Sequence, residues 1–433
     1  MIETLSELDL WKFQKDTFAY FVHHQNSNNG LIADSTKRDS ACSIAAVGLG
    51  LSAYVVAADR GWLRRQEASS YVHKTLQFLW DAEQSESPTA TGYKGFFYHF
   101  LDMQTGKRSP KSEVSTIDSS YVFAAALTAA EYFSGDRDIE RKIRALAENI
   151  YARADWHWAQ NRELTVSHGW RPERGMIRYR WQGYNEALIL YILGLASPTY
   201  PLPGSSYAEW CSTYQWKKIY GIDFLFGSPM FIHQLSHIWI DFRGIQDHYM
   251  RSKSIDYFEN SRRAAYVQQQ YAIRNPRQFR AYGEFCFGIS ASDGPGPARI
   301  ELDEIRRRFY DYKARGVPWG PDDGTLAPWA LVGSLPFAPE IILPALRYIN
   351  DHFPQVTGRF GYKCSFNPTF FKGNQRGKKG WISVGHYGLD QGPVVLMIEN
   401  YRSGLFWRLS RRSKYFIEGL RKAGFQGSWL NSK

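Results

Sequence analysis

Apolar residues recur at helical spacing along almost the whole chain, and no alternation of strand and helix patterns suggests a parallel sheet. The spacing predicts about twelve helices, over about 9–24, 41–60, 65–82, 114–133, 137–153, 183–196, 207–219, 229–240, 245–273, 339–353, 388–402 and 406–422. Stop signals punctuate them at Gly61, Gly135 and Pro198. Short strands are expected in the loops, around 95–98 in particular, leading to a turn at 104–107. Helix pairs return every 40 residues or so, yet no internal repeat is visible and no polar low-complexity linker divides the chain. An open α-solenoid would show repeat self-similarity. The pattern therefore points to an all-α fold, an (α/α)6 barrel occupying residues 1–433 as one domain, with loops at one end building a cleft.

Composition narrows the function. Hydrophobic residues are 44% and charged residues 22% of 433, which fits neither a disordered nor a membrane-embedded chain. The longest apolar runs, 189–195 and 394–398, fall well short of the ~20 residues a spanning helix needs. Cys42, Cys211, Cys286 and Cys364 are widely spaced and read as free, mostly buried thiols. The start, MIETLSELDLWKF, is acidic and lacks the apolar stretch of a secretory signal, which implies a cytoplasmic chain or one whose signal has been removed. The net charge of +11 is dispersed and reads as a solvated basic surface, which would also suit an anionically decorated glycan; no stripe or module supports nucleic-acid binding. Fifteen Trp, 27 Tyr and 27 Phe are the stronger clue, because many lie in loops rich in Gly and Pro. Rings there offer flat apolar faces with polar edges, which suit sugars. Nucleotide, serine-hydrolase and zinc-protease motifs are absent, and nothing calls for a metal or cofactor.

Four segments carry candidate chemistry. In KSEVSTIDSS (111–120), Ser115 or Thr116 caps a helix and Asp118 suits its first turn, while Glu113 lies outside the helix and is not explained by capping. In WQGYNEA (181–187), Glu186 opens a very apolar helix beside Trp181 and Tyr184. Such surroundings raise a carboxyl pKa and make a proton donor at neutral pH. QLSHIWIDFR (234–243) offers His237, Trp239, Asp241 and Arg243, followed by Arg262 in the run from Tyr257. VPWGPDDGTLAP (317–328) places Asp322 and Asp323 beside Trp319, and ASDGPG places Asp293 in a similar loop. Turn chemistry explains part of that loop, though not two adjacent acids.

Together these segments resemble the glucoamylase-like family of (α/α)6 hydrolases, known chiefly as endo-β-1,2-glucanases, glycoside hydrolase family 144 or a close relative. The likeness runs from about 17 to 425 and includes GLIADS (30–35), SIAAVGLGLSAY (43–54), GFFYHFLDMQTGKR (95–108), SEVSTIDSS (112–120) and GYNEA (183–187). It continues with SHIWIDFRGIQD (236–247), YFENSRRA (257–264), DDGTLAP (322–328) and GLDQGPVVLMIENYRSGLFW (388–407). The resemblance implies inverting cleavage of linear or cyclic β-1,2-glucan, with Glu186 as general acid and Asp323 as base, Asp322 remaining open. Substrate contacts then fall to Glu113, Asp118, Trp181, Tyr184, His237, Trp239, Asp241, Arg243, Arg262, Asp293 and Trp319. Ser115 and Asp118 stand where some relatives carry an aspartate and a glutamate three apart, a departure that bears on endo versus exo action. Alternatives are a sophorose-releasing exo-hydrolase, a retaining transglycosylase and a glycan-binding protein without catalysis. The expected partner is the glucan or its oligosaccharides, with neither nucleic acid nor membrane insertion, and the expected state is a monomer or weak homo-oligomer.

Overall fold

The computed structural model describes residues 7–302, 304–371 and 380–431. Six inner segments alternate along the chain with six outer helices, giving the (α/α)6 barrel. The inner ones are Ile44–Asp59, Thr116–Tyr132, Leu188–Leu195, the successive 3-10 turns Met230–His233 and Leu235–Ile238, Pro328–Gly333 and Gly388–Ser403. The outer ones are Glu7–His23, Arg65–Asp81, Asp138–Ala152, Gly204–Cys211, Tyr257–Arg274 and Pro339–His352.

Sequence decides which helix goes inside. A helix apolar all round must be buried all round. Ile44 through Ala57, Thr116 through Ala129 and the whole of Leu188–Leu195 are buried. Asp138–Ala152, in contrast, buries only a stripe that includes Ile143, Leu146, Ala147 and Ile150. Small residues let the inner helices touch. A Cβ on Gly48 would lie 2.7 Å from the Tyr121 carbonyl carbon, and one on Gly392 2.6 Å from the Leu49 Cβ. Gly48 is thus fixed by the approach of a neighbouring backbone and Gly392 by the packed Leu49 side chain.

Several expected boundaries shift. The helix expected from 183 starts at Leu188, because Gly183 has φ +77° and the Asn185 side chain accepts from the Ala187 N–H at 3.0 Å. The segment 207–219 ends its helix at Cys211 and continues as the hairpin Trp216–Ile219 with Ile222–Leu225. Left-handed Ser254 divides 245–273 into two helices, and a short break divides 406–422. Pro328–Gly333, absent from the expected helices, is too short to show a period. The strand at Phe96–Tyr98 is present, as is the free state of all four cysteines. Among the described residues no helix is long and apolar enough to cross a membrane.

The two barrel ends differ. Every inner segment runs in the same sense, and the connections entering their N-termini are long: 24–43, 82–115, 161–187 and 275–327. Connections at the other end, such as 60–64, 133–137 and 334–338, are a few residues each. The long loops raise a rim that includes a five-stranded sheet in the order Gly92–Tyr93, Phe96–Tyr98, Val114–Ser115, Gly169–Arg171, Gly175–Met176. The cleft therefore opens over helix N-termini, whose partial positive charge favours acidic side chains.

Candidate active site

Glu186 sits in the turn that enters Leu188–Leu195. Its carbonyl accepts from Ser236 Oγ at 3.0 Å, and the same hydroxyl accepts from the Ile189 N–H at 3.1 Å, so two inner segments fix its backbone. Beside it Tyr184 packs against His233, Tyr214 and Tyr257. Burial raises the Glu186 pKa most, its own backbone N–H opposes, and the charge of Asp118 adds to the rise, to about 7 from an ordinary 4.5. The group is thus poised to hold a proton near neutrality and release it.

Asp118 occupies the third position of its inner helix, with Ser115 Oγ capping its N–H at 3.3 Å. Its Oδ2 lies 3.7 Å from His99 Nε2; the other ring nitrogen, Nδ1, meets Glu113 Oε1 at 3.1 Å, and Arg171 Nη2 donates to Glu113 Oε2 at 3.1 Å. Charges therefore alternate along the row Arg171, Glu113, His99, Asp118. Burial alone would lower the His99 pKa, but Asp118, Glu113 and Asp34 overcome it and carry it to about 9, so the ring is cationic at neutral pH. Burial likewise opposes ionisation of Glu113, yet the hydrogen bonds from His99 and Arg171 bring it down to about 2.

Three more carboxyls complete the floor. Asp34 is joined by its backbone to Gly388, and burial pushes it up to about 6 against the pull of His99 and Lys37. Asp390 is the third residue of Gly388–Ser403, as Asp118 is of its helix, and is 5% exposed with Oδ2 unpartnered. Burial holds it well above the usual carboxylate range, opposed by the Cys364 thiol and reinforced by Asp34 and Asp293. Asp293 accepts from Tyr387 Oη at 3.0 Å and Ser383 Oγ at 3.2 Å, with Lys37 Nζ 3.7 Å away. Tyr312 is 59% exposed as a residue, and its hydroxyl pKa is raised first by loss of water around the oxygen and then by Asp390, Cys364, Asp34 and Glu186.

The DDGT loop does something else. Asp323 Oδ1 accepts from Arg315 Nε at 2.7 Å and the Thr325 N–H at 3.2 Å; its Oδ2 accepts from Arg315 Nη2 at 2.9 Å and the Tyr310 N–H at 2.8 Å. Both side chains of the ion pair are 0% exposed. Asp322 accepts from Tyr271 and Tyr282 hydroxyls, both at 2.8 Å, and from the Gly324 N–H at 3.1 Å. This corrects the expectation of a base there. The four donors on Asp323 leave no site for water; its ion pair ties the long loop 275–327 to itself, while Asp322 joins the loop to Tyr271 of the outer helix Tyr257–Arg274.

The segment 234–243 is corrected too. It descends through the barrel, so its side chains leave the cleft. Buried His237 bonds Ser261 Oγ at 3.0 Å, and Trp239 donates to Ser52 Oγ at 3.0 Å while stacking on Tyr121. Burial carries the His237 pKa down to about 3, so the ring is neutral. At the opposite end Asp241 holds Arg243 and Arg411, Arg243 covers Trp407, and Arg262 pairs with Glu340 at 2.9 Å. Trp181 is a wall residue, with one face stacked on His168 at 3.8 Å and its N–H on Thr116 Oγ1. Trp319 is exposed on the rim against Phe226.

The structure thus gathers Glu113, Asp118, Tyr184, Glu186 and Asp293, and adds Asp34, His99 and Asp390, which the sequence reading did not single out. A signal for Asp390 existed. TID at 116–118 and GLD at 388–390 put an aspartate at the same position of two all-buried helices. Among the described residues no group of three or more His, Cys, Asp or Glu could hold a metal ion.

Residues 178–414, a span holding Glu186, Asp293 and Asp390, match the model of the family described as "Glycoamylase: Putative glucoamylase". The chain belongs to that family. Its structure superposes on that of a Bacteroides uniformis protein described as a putative glucoamylase with a TM-score of 0.86 at 30% identity, covering 99% of this chain and 100% of the other. The endo-β-1,2-glucanase of Chitinophaga pinensis, solved with sophorotriose and glucose, gives 0.85 at 25% identity over 98% and 100%. A curated relative from Parabacteroides distasonis, an exo β-1,2-glucooligosaccharide sophorohydrolase acting at the non-reducing end, is 28% identical over 94% of this chain. The chain spans 57% of the length of that relative.

Proposed function

We propose that this protein is a glycoside hydrolase that cleaves β-1,2-glucosidic bonds in β-1,2-glucan or its oligosaccharides, with inversion, through one catalytic domain. The observation that carries the reading is Glu186, a carboxyl with a pKa near 7 at the floor of a polar, carboxyl-lined cleft in a fold shared with enzymes named for this substrate. Glu186 gives its proton to the glycosidic oxygen as the C1–O bond breaks. Water attacks C1 from the opposite face and passes its proton to a second carboxylate. Asp118 is the first choice for that role: it lies beside cationic His99 and its charge reaches Glu186. Asp390 is the second: its buried oxygen is unpartnered, and because burial holds the carboxyl well above the usual carboxylate range it accepts a proton only once ionised.

The test is incubation with linear β-1,2-glucan, product sizing by chromatography and NMR of the first-formed anomer. Mixed short oligomers mean endo cleavage, a single disaccharide means exo cleavage, and an α-anomer first means inversion. Glu186→Gln should abolish turnover and keep sugar binding; turnover near wild type removes Glu186 from the mechanism. Azide added to Asp118→Asn and Asp390→Asn separates the two candidates, since the variant that regains activity has lost the group facing C1.

A further inference from the structure

Within the long loop 275–327, a clamped backbone presents an uncovered tyrosine. The strands Ala291–Ser292 and Lys313–Ala314 pair with Ser292 opposite Lys313, so the next residues along the ladder are Asp293 on one side and Tyr312 on the other. Arg315 fixes the turn before Tyr312. Its Nη1 donates to the Ser292 carbonyl at 2.7 Å, and its Nη2 to the carbonyls of Tyr310 and Asp311, both at 3.1 Å. The Gly296 N–H also donates to the Tyr310 carbonyl, at 2.9 Å, and a Cβ on Gly294 would run into that same oxygen. The Tyr312 side chain, in contrast, is exposed, and among the described residues it has no hydrogen bond and no ring contact. Neighbouring tyrosines are engaged: Tyr387 donates to Asp293 at 3.0 Å, and Tyr271 and Tyr282 donate to Asp322. The Tyr312 hydroxyl is nevertheless crowded, first by loss of water and then by Asp390, Cys364, Asp34 and Glu186. A ring that is bare along its flank, with its tip among cleft carboxyls, lies along the cleft wall.

We propose that Tyr312 is a substrate-contacting residue that receives the glucosyl unit on the Asp390 side of the cleft, its ring packing on the pyranose face and its hydroxyl donating to a sugar hydroxyl. The inference rests on the glucan reading above for the identity of the sugar. A large aromatic held in this way adds nothing to the core, whereas a sugar offers it an apolar C–H face and hydroxyl oxygens to accept its proton. The contact serves binding and not bond breaking, because loss of water and negative neighbours both oppose ionisation of the phenol. It also gives the buried Asp323–Arg315 pair a positioning role. Asp323 holds Arg315, and Arg315 holds the two carbonyls that precede Tyr312.

Sophorotriose titrated calorimetrically into the full chain carrying Glu186→Gln reads the contact without turnover. Tyr312→Phe and Tyr312→Ala are introduced into that background and, separately, into wild type. Tyr312→Phe should weaken sophorotriose binding by about three- to tenfold, as expected for one neutral hydrogen bond, and Tyr312→Ala by more. In the wild-type background KM for linear β-1,2-glucan should rise by the same factors with kcat unchanged, the mark of an interaction made equally in the ground and transition states. Tm should stay where it is, because the ring stacks on no neighbour. Unaltered affinity and KM in both variants overturn the proposal. So does a fall in kcat alone, which would put Tyr312 in the chemistry, or a fall in Tm that accounts for the lost affinity, which would make the residue structural. Sophorotriose binding that depends on Tyr312, in a protein that cleaves no glucan, would sink the hydrolase reading and leave the contact standing. A chain that neither binds nor cleaves removes both.

Discussion

Removing the charge of Glu186 has a consequence for stability that is separate from catalysis. The carboxyl has an ordinary pKa of 4.5 and a folded value of about 7. A raised folded pKa means that its contribution to stability is complete below the unfolded value and is lost as pH rises through the folded value. The loss runs at about 1.4 kcal/mol per pH unit across that window. The rise from 4.5 to about 7 therefore corresponds to up to about 3 kcal/mol. Glutamine has nearly the same shape and does not ionise. Glu186→Gln should thus gain on wild type by about 2 to 3 kcal/mol between pH 5 and pH 8. Urea denaturation of both proteins at the two pH values measures this as a difference of differences, so that a constant packing offset cancels. A wild-type-minus-variant difference that does not change with pH would mean that Glu186 is not protonated in the folded cleft, and the argument for it as an acid would fail. The same shift predicts that wild-type kcat/KM falls above about pH 7.

Asp323→Asn leaves Arg315 buried without its partner and should lower stability by about 3 to 5 kcal/mol, visible as a large fall in Tm, with no recovery of activity on adding azide. His99→Gln removes the cation between Glu113 and Asp118. Turnover should drop by about tenfold, and Asp34 and Glu113, having lost their cationic neighbour, should titrate at higher pH, read by carboxyl NMR; unmoved titrations would make His99 a packing residue only. Gly48→Ala places a methyl 2.7 Å from the Tyr121 backbone and should cost about 1 to 3 kcal/mol by prising two inner helices apart, read by chemical denaturation.

What the chain by itself determined was the architecture. All-round apolar helices at 44–59, 116–132 and 188–195 have to be inner, and striped ones such as 138–152 have to cover them, because burial of a helix face is a local property of its residues. Glu186 was legible for the same reason: a carboxyl beside aromatics at the head of an apolar helix is set by adjacent residues. The fate of the DDGT aspartates was not. Whether Asp323 faces water or Arg315 depends on how loop 275–327 folds back on itself, and two acids in a turn look alike in either case. His237 and Asp241 misled for a related reason. Their segment crosses the barrel from one end to the other, so proximity in sequence to cleft residues became distance in space. The floor itself was decided only by tertiary structure. Asp34, His99, Asp118 and Asp390 arrive from separate loops and helices, and the shifted pKa values of Asp34, His99 and Asp390 exist only because closure of the barrel brings ionisable groups together in a place that water reaches poorly.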